Sequence, residues 1–106
     1  MLFTTIIPKQ RNDKTKVPRT ELDGILDALV DQFGGMTGEG ETAGEWIDPK
    51  DGRRYKDKGV KVSVACDSER LAEAEEAVRR IGRQLGQKAM YFEVRYYDGV
   101  RFLRID

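Results

Sequence analysis

The sequence contains no histidine and a single cysteine, Cys66. Histidine is the commonest general base and metal ligand near neutral pH, so its absence removes the usual routes to acid–base and metal chemistry. One cysteine cannot close an internal disulfide, and with no histidine beside it the usual structural zinc sets are out of reach. No stretch of about 18 or more apolar residues is present to span a membrane as a helix. The opening MLFTTIIPKQ is too short, and lacks the charged head, to read as a signal peptide, so a cytoplasmic setting is expected. Neither sign of charge is in excess: 19 basic residues face 19 acidic ones, which leaves no global attraction to nucleic acid or to an anionic membrane. Any pull on anions must be local.

What the sequence does hold is periodicity. Hydrophobic residues make up 39% of the 106 and charged residues 36%, which suits one soluble domain, residues 1–106, built around one core. Leu2 to Ile7 is β-branched and aromatic and stops at Pro8, which cannot donate to a ladder, so it reads as a strand. From Thr20, read as an N-cap, Leu22, Ile25, Leu26, Leu29, Val30 and Phe33 recur at threes and fours, a helical stripe that Gly34 and Gly35 end. Gly44 to Asp48 and Val60 to Cys66 read as strands, with a turn over Pro49–Gly52 close behind the first. Ser68 reads as the cap of a second helix with the stripe Leu71, Ala74, Val78, Ile81 and Leu85, closed by Gly86. A strand over Ala89–Tyr97, a turn at Asp98-Gly99 and a closing strand over Val100–Ile105 complete the order β-α-β-β-α-β-β. The expected fold is α+β, a ferredoxin-like split β-α-β sandwich. Its antiparallel sheet runs in the order 4-1-3-2 with both helices on one face and an extra strand beside the fourth.

The even charge balance conceals segregation. Residues 9 to 19 carry Lys9, Arg11, Lys14, Lys16 and Arg19 against Asp13 alone, and residues 50 to 61 carry Lys50, Arg53, Arg54, Lys56, Lys58 and Lys61 against Asp51 and Asp57. In a split β-α-β sheet the first two strands run the same way. The loop after the first strand, the hairpin after the second and the connection after the second helix, which holds Lys88, therefore share one end with the N-terminus of the first helix. Lys9, Arg11, Lys14, Lys16, Arg19, Arg53, Arg54, Lys56 and Lys88 are thus the candidate site for an anionic, nucleotide-like small molecule or an acidic protein surface. Glu39, Glu41, Glu45, Asp67 and Glu69 are expected at the opposite end. The plainer alternative is that such loops only keep the chain soluble.

The stretch FGGMTGEGETAGEWID is rich in glycine but lacks the Lys-Ser/Thr of a phosphate-binding loop and precedes a strand. Its four carboxylates, at Glu39, Glu41, Glu45 and Asp48, would repel phosphate, and they lack calcium-loop spacing. A mobile, acid-faced connector is expected. Trp46 is weighed as a core residue under that loop or as an exposed anchor for a partner. Alternation puts Met90, Phe92, Val94 and Tyr96 on one face of the late strand and Tyr91 and Tyr97 on the other, a face without helices that suits a ligand or a homodimer. Cys66 precedes a helix, where a thiol can be activated, but without a histidine partner it reads as a structural thiol. No catalytic residue, metal or cofactor is expected.

Phe33-Gly34-Gly35-Met36-Thr37, then Gly44-Glu45-Trp46 and Asp51-Gly52, then Leu85-Gly86-Gln87-Lys88-Ala89-Met90-Tyr91, make the chain resemble small bacterial and phage ferredoxin-like domains of unknown function. Those domains share an FGG-x-T, a G-x-W and a Q-x-A element. The resemblance implies the fold and brings no catalytic residue with it. The expected function is a non-catalytic binding or regulatory protein, with an inhibitor or nucleotide-sequestering protein of phage type within that range. The alternatives are a nucleic-acid-binding protein stacking bases on Tyr91 and Tyr97, and an enzyme using Glu93 with Arg95 or the Cys66 thiol.

Overall fold

Branched and aromatic side chains set the first strand, β1 (Leu2–Pro8), in the computed structural model, which describes residues 1–96, 101 and 103–105. It is followed by α1 (Arg19–Phe33), β2 (Thr37–Ile47), β3 (Arg54–Ala65), a short 3-10 turn at Ser68–Arg70, α2 (Leu71–Gln84) and β4 (Phe92–Arg95). The sheet order is β2-β3-β1-β4 with every pairing antiparallel, so the fold is α+β and the expected 4-1-3-2 order is present, read from the other edge.

Alternation assigns the two faces. Phe3, Ile7, Val62 and Val64 point to the helices and are buried with Ile25, Leu29 and Phe33 of α1 and Ala74, Val78 and Ile81 of α2. The Phe3 ring meets Phe33 edge-on at 5.2 Å and stacks on Phe92 at 5.6 Å, which ties α1, β1 and β4 into one core. On the helix-free face Thr4 and Ser63 are also buried, and their hydroxyls are 2.8 Å apart. Ser63 gives its one proton to Glu39, so Thr4 is the donor between the two hydroxyls.

The helix ends depart from expectation at their starts and match it at their stops. Pro18, not Thr20, is the N-cap of α1, because its fixed φ of −61° with ψ of 149° turns the chain directly into a helix beginning at Arg19. Ser68 opens the 3-10 turn without a side-chain cap. Gly34 ends α1 in the left-handed conformation, its N–H on the Val30 carbonyl at 2.7 Å. At the end of α2, Gly86 N–H reaches the Arg83 carbonyl and Gln87 N–H the Gly82 carbonyl, the paired bonds of a Schellman motif.

The largest correction concerns the glycine-rich stretch. The strand expected from Gly44 begins at Thr37, so most of the supposed connector is an edge strand, Thr37–Ile47, paired along its length with β3, which itself starts at Arg54 and not at Val60. An edge strand wetted on both faces needs no apolar alternation, so none is written in its sequence. Gly40, at φ 99°, takes up the irregularity in register between Gly38 and Gly40. Because β2 is a strand, Glu41 and Glu45 lie toward the cationic end, where they pair with Lys9 and Lys56, and not at an opposite acidic pole.

β4 is shorter than expected, since residues 87–91 form a loop over the end of β1, fixed by the Thr5 hydroxyl donating to the Tyr91 carbonyl at 2.7 Å. Of the closing strand expected over Val100–Ile105, Arg101, Leu103, Arg104 and Ile105 are not in a strand. The rest of that strand, the Asp98-Gly99 turn and Tyr97 lie outside the described residues. Among the described residues no helix is long and apolar enough to cross a membrane.

Candidate anion-binding site

β2 and β3 outrun β1. Pro8 is opposite Gly59, so Arg54 to Lys58 carry the hairpin past the end of the central strand as a two-stranded arm. The loop after β1 folds back beside the arm, with Lys9 N–H on the Lys58 carbonyl at 2.9 Å and Gln10 bridged to Lys16. The loop after α2 closes the third side, with the Gln87 amide donating to the Gln10 carbonyl at 3.0 Å. Both cation-rich segments therefore meet at one end. Between them lies a cleft of about 200 Å³ lined by Arg11, Lys14, Arg53, Arg54, Lys56 and Lys58, with Asp57 as its one carboxylate.

Ion pairing sorts these cations. Arg11 gives two 2.6 Å hydrogen bonds to the Glu21 carboxylate in the first turn of α1, and those bonds hold Glu21 below its ordinary pKa. The helix N-terminus thus already faces a carboxylate of its own chain. Lys56 lies 3.8 Å from Glu45. Among the described residues Lys14, Arg53, Arg54 and Lys58 make no ion pair. Lys14 is further set apart by a left-handed backbone, φ 74°, which a non-glycine residue seldom adopts.

The remaining expected residues sit elsewhere at the same end. Lys9, Lys16 and Arg19 line a separate cavity against α1, where Lys9 is paired with Glu41 and Arg19 is 3.9 Å from Asp23. Lys88 donates to the Tyr55 hydroxyl at 2.8 Å and to Asp51 at 2.9 Å, and these bonds raise its pKa. The Arg53 N–H, Lys88 and the Tyr55 hydroxyl hold Asp51 down to about 2. Lys88 is therefore a clamp between the loop and the hairpin. A further cavity beside α2 holds Arg79 and Arg83, both paired with glutamates of the same helix.

Trp46 is half-buried and lies outside the core, stacked on Tyr55 at 5.1 Å within the arm, so of the two places weighed for it the one under a loop in the core is not taken. With Tyr91, Ile6, Pro8 and Met90 it borders an apolar cleft of about 230 Å³ that shares Asp57, Lys58 and Gln87 with the cationic one. Sequence reading missed this cleft, because Ile6 and Pro8 carry no signal of it until the arm is known to pass beside them. Cys66 is partly buried, and desolvation pushes its thiol above the ordinary value. Glu93 and Arg95 are paired at 3.3 Å. Among the described residues no three of the Cys, Asp and Glu side chains form a group able to hold a metal ion.

No protein-family model and no curated protein matches the chain. A solved structure of similar architecture is that of a phage SAM lyase in complex with S-methyl-5'-thioadenosine. It has 9% sequence identity to this chain and a TM-score of 0.66, covering 86% of this chain and 76% of that one, and at such an identity the likeness establishes the shared fold.

Proposed function

We propose that the protein is a small non-catalytic binding protein that seats a nucleotide-like anion in the cleft between the loop after β1 and the β2–β3 arm. The observation that carries this reading is the sorting of charge. Of the cations at this end, Lys9, Arg11 and Lys88 are held in ion pairs and Lys16 lies in the separate cavity, whereas Lys14, Arg53, Arg54 and Lys58 line one cleft without an ion pair among the described residues. Several unneutralised cations around one concavity create a positive potential that water-exposed pairs would have cancelled. The neighbouring fold's thioadenosine complex supports a small-molecule ligand over a protein surface. That neighbour is a lyase. Here a non-catalytic role is supported by the missing histidine and by a Cys66 thiol that burial makes less reactive.

Thermal unfolding in the presence of ATP or inorganic pyrophosphate, at low ionic strength, tests the reading. A ligand at about 100 times its dissociation constant stabilises by about 2.7 kcal/mol, which in a domain of this size raises Tm by roughly 10 °C or more. That rise is expected in the wild type and is expected to vanish in the Arg53→Glu/Arg54→Glu protein. Absence of a shift with every anion overturns the proposal.

A further inference from the structure

We infer that the ligand is a nucleotide held in two adjoining clefts at once, its phosphates in the cationic one and its base in the apolar one beside Trp46. The inference rests on the anion-binding reading above and specifies what else the ligand must carry. Size gives the first reason. Clefts of about 200 and 230 Å³ each fall short of the roughly 300–1,000 Å³ of ordinary ligand pockets, but jointly they fall within that range.

Chemistry gives the second reason. Ile6, Pro8, Met90 and the Trp46 and Tyr91 rings offer a mainly apolar wall with two aromatic rings on which a flat heteroaromatic ring can stack, Thr42 and Glu45 also being in the lining. The boundary between the two clefts is made by Lys58, Asp57 and Gln87, which line both. Passing from one to the other therefore exchanges a mainly apolar lining for a mainly cationic one. A molecule matched to that sequence of surfaces has an aromatic ring at one end and phosphate at the other. A bare phosphate would leave the apolar wall wet, and a neutral nucleoside would leave Arg53 and Arg54 without a partner.

Rigidity gives the third. The Trp46 ring is backed by Tyr55, whose hydroxyl is bound by Lys88 and Asp51, so the aromatic wall is fixed before a ligand arrives.

Calorimetry with ADP, adenosine and inorganic pyrophosphate tests this, with fluorescence of Trp46, the sole tryptophan, as a second readout. ADP is expected to bind about 5- to 150-fold tighter than pyrophosphate, as stacking of one base provides, and to change the Trp46 emission. Trp46→Ala is expected to bring ADP down to the pyrophosphate value while leaving pyrophosphate itself unchanged. Gly44→Phe, on the same face as Trp46 and with open space around its missing Cβ, fills the apolar cleft, is expected to do the same, and covers the case in which Trp46→Ala loosens the arm. If ADP binds no tighter than pyrophosphate, or adenosine binds as tightly as ADP, the joint site is overturned. In the first case the cationic cleft still stands. If neither ADP nor pyrophosphate binds, the anion-binding reading falls as well.

Discussion

Gly59 sits where β1 ends and the arm begins, and its lack of a side chain sets how closely those strands approach. A Cβ at this position would lie 2.5 Å from Ile6 Cγ2 and 2.7 Å from the Ile7 carbonyl oxygen. The first contact is with a side chain that can turn aside. The second is with backbone inside a ladder, which cannot move without disturbing the β1–β3 pairing. Gly59→Ala is therefore expected to destabilise the protein by about 1–3 kcal/mol, the usual range for forced overpacking. Gly24 is the contrast: it is in the interior of α1 with open space around its missing Cβ. Gly24→Ala is expected to stabilise by about 0.4–1 kcal/mol through the unfolded chain and helix propensity. Urea unfolding of both variants checks the pair. Equal stabilities would show that the close approach at Gly59 does not constrain the fold.

Among the elements, the β2–β3 hairpin carries most of the candidate site, and its turn is tied down by Asp51. Hydrogen bonds from the Arg53 N–H, Lys88 and Tyr55 lower the Asp51 pKa from 3.8 to about 2. A carboxylate depressed by folding contributes stability that is present above its unfolded pKa near 4 and is lost as the pH falls toward 2. Stability measured across that interval is expected to fall less steeply in Asp51→Asn than in the wild type, with the two curves converging as the pH falls. Curves that stay parallel would show that the clamp is not linked to folding. How much of this was written in the sequence follows from where each element buries a face. α1 and α2 pack one side on the sheet, so Ile25, Leu29, Ala74 and Val78 recur at helical spacing and were legible. β1 and the second half of β3 are central, so Phe3, Ile7, Val62 and Val64 alternate and were legible too. β2 and the first half of β3 bury almost nothing, and glycines with charged residues wrote no pattern, so only Gly44 onward read as strand and the first part of β2 read as a connector. The convergence of Arg11 with Arg54 followed from topology alone. Their sorting into paired and free cations did not, because it depends on which carboxylates β2 carries to the same end.

Over the whole molecule, the β2–β3 hairpin extends past the end of the central strand β1. In that arm Arg54 to Asp57 pair only with β2, whereas Val62 pairs on both sides, Val64 pairs with β1, and both are buried in the core. The arm therefore has little buried apolar surface to lose on opening, and its opening free energy must lie below that of the sheet centre. Opening also matters for binding. Arg53 and Arg54 are on the arm while Lys14 is on the loop after β1, so the cationic cleft exists only while the arm is closed, and apparent affinity falls by the fraction closed. The Lys88 bonds to Tyr55 and Asp51 hold that closed position. Native-state hydrogen exchange is expected to show amides of residues 43–47 and 54–57 opening at lower free energy than Val62 and Val64. Lys88→Met is expected to lower protection in the arm and in residues 87–91 while leaving Val62 and Val64 unchanged. Equal loss of protection throughout β3 would mean that arm and sheet open as one unit, and that the cleft has no closing motion of its own.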